Sequence, residues 1–178
     1  MKRNTFNLLI ISTLILGRII PHPYNMTPTI TFALLSTQLF SRRHAIAISL
    51  LCFILSDAIL ALLQHHSVWG TWSLFTYSAI TLIAYTSSIT QNDKNLKLFK
   101  LLICSSLGFW LWTNLGCWIT MPTYSKDIHG LLLCFTLALP FLKNQLIGDS
   151  LWLMATLGAL HHFKKHTTLN RQLKGKVR

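Results

Sequence analysis

The chain has 178 residues, a formal net charge of +12 and a mean hydropathy of +0.48. Only 11% of its residues are charged, whereas a soluble domain is about a quarter charged, so this composition excludes an ordinary soluble domain. The length suits one compact domain. The basic residues cluster between apolar runs instead of forming a stripe on a polar scaffold, which favours a membrane surface over nucleic acid as their partner.

Six apolar runs follow one another along the chain, at about 4–20, 27–40, 44–63, 68–89, 98–120 and 130–162. A membrane span needs about 17–25 apolar residues, which the third, fourth and fifth runs supply. The second run is short, so we expect it to be tilted or shielded by its neighbours. The last run is interrupted at Pro140, which predicts a half-helix or re-entrant segment at 131–142 before a sixth span at 145–163. The predicted fold is therefore an all-α integral membrane bundle of about six transmembrane helices.

The basic residues give this bundle an orientation. With the N-terminus in the cytoplasm, all of the Lys and Arg residues except Arg18, Lys126 and Lys143 fall on the cytoplasmic side. We therefore predict that both termini are cytoplasmic, that residues 1–163 form the transmembrane domain and that residues 164–178 form a basic cytoplasmic tail. The first run begins like a signal peptide but has no small-x-small cleavage site, so we expect it to be retained.

Two acidic residues interrupt the apolar pattern. The chain contains no Glu, and Asp57 and Asp149 lie inside predicted spans. A carboxylate at membrane depth is costly and normally faces a partner or a cavity. The helix directions place both carboxylates toward the outer leaflet, together with Arg18, Asn114 and Lys143. Two interpretations stay open: a network of ion pairs and hydrogen bonds that holds the helices together, or a polar pocket that opens outward.

Aromatic and proline residues share this outward bias. Tryptophans near the helix ends, such as Trp69 and Trp118, fit an interfacial aromatic belt. Trp110 lies deeper, and a one-sided aromatic cluster also suits stacking on a flat ligand. Three prolines in the segment 21–28 predict a stiff outer loop carrying His22, either as a simple rigid turn or as part of a binding site.

The four cysteines give a weaker signal. Cys52, Cys104, Cys117 and Cys134 lie in apolar runs, and none belongs to a C-x-x-C pair. Cysteines of this kind are usually small buried hydrophobes, so no disulfide framework is predicted.

Three segments combine Pro, His, Asn and Asp at fixed intervals in apolar context: RIIPHPYNMTP at 18–28, TNLGCW at 113–118 and PFLKNQLIGD at 140–149. Through these segments the chain resembles an uncharacterised bacterial family of polytopic membrane proteins, whose patterns are R-x-x-P-H-P-x-N-x-T-P, T-N-x-x-x-W and P-F-x-x-N-x-L-x-G-D. The resemblance covers nearly the whole chain. It implies the bacterial inner membrane as the location, and it implies no particular function.

Short helices, cytoplasmic termini and a Pro-Phe pair before the last span also resemble the substrate-binding S-component of energy-coupling-factor vitamin transporters, in particular the solitary type for cobalamin. His22 and Asp57 match two roles of that family by position. Its cobalt-ligating cysteine has no direct counterpart, so the resemblance points to Cys117, or to His65 as an alternative metal ligand. The chain has no G-x-x-x-x-G-K-[ST] sequence, so active uptake would need a partner ATPase and coupling module.

These observations favour a protein that binds and takes up a small molecule, such as cobalamin, through an outward-facing pocket. The alternative is a structural or assembly subunit of a membrane complex. No catalytic motif such as G-x-S-x-G or H-E-x-x-H is present, so no enzyme activity is expected. The candidate ligand-binding residues are His22, Asn25, Asp57, Trp110, Asn114, Lys143, Asn144 and Asp149.

Overall fold

The computed structural model describes residues 3–64, 69–87 and 95–176. These residues form six α-helices: α1 (Arg3–Ile19), α2 (Thr29–Leu35), α3 (Arg42–Gln64), α4 (Ser73–Thr86), α5 (Asn95–Thr120) and α6 (Ile128–Lys176). A 3-10 helix, Ser36–Gln38, directly follows α2. The prediction of an all-α bundle is confirmed, and the helix bounds follow the apolar runs of the sequence.

Three helices are long and apolar enough to cross a membrane. They are α3, the part of α5 at Leu96–Thr120 and the part of α6 at Ile128–Phe163. At a rise of about 1.5 Å per residue, the 23 residues of α3 reach farther than the hydrocarbon core of a bilayer, which is about 30 Å thick. The chain is therefore a membrane-inserted protein.

Helix α2 is too short to span a bilayer and instead fills the middle of the bundle. It has seven residues, and all of them are buried. Its apolar side chains, among them Ile30 and Leu34, pack in one core cluster with side chains of α3, α4, α5 and α6. This confirms that the second apolar run is shielded by its neighbours, as its length predicts.

The two ends of the bundle are distinguished by the chain segments that lie there. The rings of Phe6 and Phe163 stack with their centroids 4.1 Å apart, so the first helix begins where the last membrane-spanning part finishes. We call this the terminal end; it also holds the connection 39–41. The opposite, loop end holds the connections 20–28 and 121–127 together with residues 69–72.

The prediction of a broken helix before the last span is wrong. Helix α6 runs without interruption from Ile128 to Lys176 with Pro140 inside it. A proline removes one backbone hydrogen bond and bends a helix, but neighbouring helices support that defect inside a bundle. Residues 164–176 of the predicted tail continue the same helix.

The start of α6 is fixed by Asp127. Its carboxylate accepts a hydrogen bond from the Gly130 backbone N–H at 2.8 Å and another from the Ser125 hydroxyl at 2.8 Å. Both bonds stabilise the charged form, so they lower the pKa of Asp127 below its usual value. The side chain therefore satisfies backbone donors that the first helical turn leaves free.

The loop 20–28 folds onto α1 and α6. Asn25 adopts a φ of 64°, a left-handed conformation that Asn tolerates better than most residues. Met26 lies so close to Gly148 that a Cβ added to this glycine would be 2.8 Å from the Met26 Cα atom. The Met26 carbonyl also accepts a hydrogen bond from the Trp152 indole N–H at 3.3 Å. These contacts hold the loop against the bundle.

Candidate functional site

The first intramembrane carboxylate belongs to an ion pair. Arg18 of α1 donates from Nη2 to the Asp57 Oδ1 atom of α3 at 2.7 Å, and the two side chains are 11% and 5% exposed. The Arg18 Nη1 atom donates to the Ser56 hydroxyl at 2.5 Å and to the Phe53 carbonyl at 3.1 Å. The guanidinium carbon also lies 3.7 Å from the centroid of the Phe53 ring, a distance typical of a cation–π contact.

The same pair reaches a third helix. The Tyr77 hydroxyl of α4 lies 3.5 Å from the Asp57 Oδ2 atom, to which it donates. The Tyr77 ring packs edge-on against Phe53, with centroids 5.9 Å apart. The buried pair of Arg18 and Asp57 thus joins α1 to α3, and Asp57 extends the link to α4 through Tyr77, as expected for an ion-pair network.

The second intramembrane carboxylate has different surroundings. Asp149 of α6 is 0% exposed. Its Oδ2 atom accepts a hydrogen bond from the Ser106 hydroxyl of α5 at 2.5 Å, while Gln145 donates to the Ser106 carbonyl at 2.9 Å. Thr31 of α2 donates to the Asp149 backbone carbonyl at 2.9 Å. Asp149 and Asp57 share none of these partners, so the bundle keeps the two carboxylates in separate sites.

The other predicted binding residues do not converge on either carboxylate. Trp110 is buried and donates from its indole N–H to the Ala138 carbonyl at 3.0 Å, which joins α5 to α6. Asn114 donates to the Trp110 carbonyl of its own helix at 2.7 Å. His22 is exposed and donates to the Ile20 carbonyl within its own loop at 2.6 Å. Exposed Asn25 and Lys143, and half-buried Asn144, complete the predicted set.

The predicted metal ligands give no cluster in the described ranges. Cys117 is half-buried on α5, and His65 lies outside the described residues. Cys134 of α6 lies near Cys117, and its thiol donates to the Asn114 carbonyl at 3.5 Å. Across 3–64, 69–87 and 95–176, no group of three or more His, Cys, Asp or Glu side chains is placed to hold a metal ion.

A cavity of about 530 Å³ lies between α4 and α5. We call it the α4–α5 groove; it is lined by Ser78, Ala79, Leu82, Ile83, Thr86, Leu101, Cys104, Ser105, Gly108, Phe109 and Trp112. Its walls are mostly apolar, and the Trp112 indole N–H donates to the Ser78 hydroxyl at 2.9 Å across the seam. None of the binding residues predicted from the sequence is among those that line it.

Small residues on α5 create this groove. Cys104 and Gly108 are four positions apart, and so share one face of the helix. A Cβ added to Gly108 would meet no atom within 4 Å. The corresponding signal in the sequence is the spacing of these two small residues, which the apolar pattern of α5 alone does not reveal.

Comparisons with known proteins identify the family of the chain. No curated protein and no solved structure matches the chain. The model of one protein family, described as a family of unknown function (DUF6580), matches residues 1–172. That match confirms the resemblance to a family without an assigned function. Since it covers almost all of the 178 residues, the chain belongs to this family, DUF6580.

Proposed function

We propose that this protein binds a small, largely apolar molecule inside the membrane and takes it up, in the manner of an S-component. The α4–α5 groove is the proposed binding site. Its volume of about 530 Å³ lies in the range of small-molecule pockets, which is about 300–1,000 Å³. This groove is the observation that carries the proposal.

The lining of the groove defines the ligand class. Leu82, Leu101 and Phe109 offer apolar walls, and the half-exposed Trp112 offers an aromatic face at one edge. Such a site suits a vitamin-sized molecule with a large apolar body and a few polar groups, because binding then removes apolar surface from lipid and water at once. Cobalamin, which the S-component resemblance suggests, is larger than this groove and carries many amide groups, so a smaller and more apolar vitamin is the first ligand to test.

The charge distribution supports an orientation with both termini in the cytoplasm, and the family resemblance suggests the bacterial inner membrane as the location. The terminal end carries Arg42, Arg43, Lys97, Lys100 and Lys165 among its described basic residues. Cytoplasmic segments are enriched in Lys and Arg, so this end is the proposed cytoplasmic side. Active uptake would then require a partner ATPase module, which would dock from that side.

A second function is favoured by one observation. The Cys104 and Gly108 face of α5 is open, and membrane helices pack closely against small residues spaced by four. The groove would then receive a transmembrane helix of another protein, and this chain would be a structural or assembly subunit without transport activity.

Native mass spectrometry of the purified protein separates these two functions. We expect the protein to retain a ligand of vitamin-like mass, which further activation in the gas phase releases. A retained polypeptide in fixed stoichiometry would favour the assembly function instead. A chain that carries neither, after purification in mild detergent and again from native lipid discs, contradicts both.

A further inference from the structure

Among the Asp, Lys and Arg side chains that the structure describes, that of Asp149 is the most deeply buried. Its exposed fraction is 0%. Its Oδ2 atom accepts the Ser106 hydrogen bond at 2.5 Å, and its Oδ1 atom has no hydrogen-bond partner among the described residues. A deprotonated Asp149 would therefore place a full negative charge in the bundle with a single donor to stabilise it.

The helices packed around Asp149 offer no compensating cation in the described ranges. Helix α2 contains no titratable side chain, and it faces Asp149 with Thr31. Helix α5 faces it with Ser106, while the nearby Cys104 lines the groove. On α6 itself the nearest charged residue along the chain, Lys143, is exposed.

The remaining neighbouring segments do not supply a counter-charge either. Arg18 of α1 is committed to Asp57, and His22 of the loop 20–28 is exposed and hydrogen-bonded within its own loop. Asp57 and Asp149 therefore differ in one decisive respect: the first carboxyl faces a guanidinium at 2.7 Å, and the second faces only neutral groups.

The physical consequence follows from the desolvation of charge. Moving an unpaired carboxylate into a protein interior costs several kcal/mol even after relaxation, and more cost arises in a bundle surrounded by lipid. Binding a proton removes that cost. A protonated Asp149 also gains an O–H donor. The short hydrogen bond between Asp149 Oδ2 and the Ser106 hydroxyl could then be donated from either side.

We propose that Asp149 is a proton-binding site, neutral while α2 packs against α5 and α6. Releasing the proton would leave an unpaired carboxylate inside the bundle, so we expect Asp149 to stay protonated while the helices around it remain packed. Thr31 of α2 donates to the Asp149 backbone carbonyl, so α2 packs directly against the turn of α6 that carries this carboxyl. This inference does not depend on the groove or on its ligand.

Infrared spectroscopy of the whole protein in lipid, compared in H2O and D2O, tests the inference. The chain has no Glu and four Asp residues, so the carbonyl band of a neutral carboxylic acid has few possible sources. At neutral pH we expect one such band that shifts in D2O. Asp149→Asn should abolish it, and the control variant Asp127→Asn, at an exposed carboxylate outside the membrane spans, should leave it unchanged.

Two results would overturn the inference: no neutral-acid band in the wild-type protein at neutral pH, or a band that survives Asp149→Asn. Folding gives a second readout. Asn resembles the neutral acid in shape, so Asp149→Asn should keep the wild-type unfolding midpoint or raise it. A lowered midpoint, with no neutral-acid band in the wild type, would identify Asp149 as an ionised structural residue.

Discussion

Arg18 and Asp57 lie 39 residues apart in the sequence and form a buried ion pair, with Arg18 Nη2 2.7 Å from Asp57 Oδ1. The pair ties the end of α1 to α3, and Tyr77 extends it to α4. Neither residue lines the α4–α5 groove, so the pair joins helices outside the proposed binding site.

Removing one partner of this pair should destabilise the protein strongly. Asp57→Asn leaves the Arg18 charge without its counter-ion, and the loss of one partner of a buried pair typically costs about 3–5 kcal/mol. The free energy of unfolding in detergent, followed by circular dichroism during denaturant titration, measures this loss. The fraction that stays folded should bind ligand normally, because Asp57 does not line the groove.

The double variant Arg18→Met with Asp57→Leu is the control. It removes both charges together, so we expect it to be more stable than either single variant. Single variants as stable as the wild-type protein would show that the pair contributes nothing. Loss of ligand binding by a fully stable Asp57→Asn protein would return Asp57 to the binding site.

The close approach of Met26 to Gly148 predicts a second effect. In Gly148→Ala the new Cβ would lie 2.8 Å from the Met26 Cα atom, so the loop 20–28 must shift. Overpacking of this kind costs about 1–3 kcal/mol, and the thermal unfolding midpoint should fall.

Gly158→Ala provides the matched control on the same helix, since a Cβ there meets no atom within 4 Å. Alanine has the higher helix propensity, by up to about 1 kcal/mol, so this variant should be neutral or more stable. If both alanine variants behave alike, the Met26 contact has no energetic role.

Asp127 predicts a pH dependence at the start of α6. Its folded-state pKa is lowered by the hydrogen bonds from Gly130 and Ser125, so its contribution to stability is present above the unfolded value. That contribution is lost as the pH falls through the lower, folded pKa. Acidification should therefore speed amide hydrogen exchange of Gly130 relative to amides in the middle of α6, after correction for the intrinsic exchange rate.

Two variants check that Asp127 is the cause. Asp127→Ala should speed Gly130 exchange at all pH values and remove the acid-dependent step. Asp127→Asn should keep most of the protection, since Asn also caps helices, and it should likewise lack the step. A step that persists in both variants would assign it to another group.

The sequence predicted what depends on local pattern. Apolar runs located the helices, and the short second run indicated a shielded helix because too few residues were available to span a bilayer. The prolines of the segment 21–28 correctly indicated a loop with a fixed path. Pro140 was misleading because its effect on a helix depends on neighbours that a local pattern does not contain.

The arrangement of the candidate site could not be predicted in the same way. Helix direction places Asp57, Asp149 and Asn114 at a depth in the membrane, but gives no position around the bundle axis. The structure assigns Asp57 to Arg18 and Asp149 to Ser106, on different helix neighbours. The groove is harder to predict from the sequence, because it results from the missing side chain of Gly108 and not from a residue type that binds ligands.

Filling the α4–α5 groove tests most directly whether it holds a small molecule. Gly108→Leu places a bulky side chain inside the cavity, while Gly158→Leu makes the same change on α6, at another position with no atom within 4 Å of an added Cβ. Native mass spectrometry should then show a bound small molecule in the wild-type protein and in Gly158→Leu, with occupancy at least tenfold lower in Gly108→Leu. Equal occupancy in both leucine variants would contradict the account.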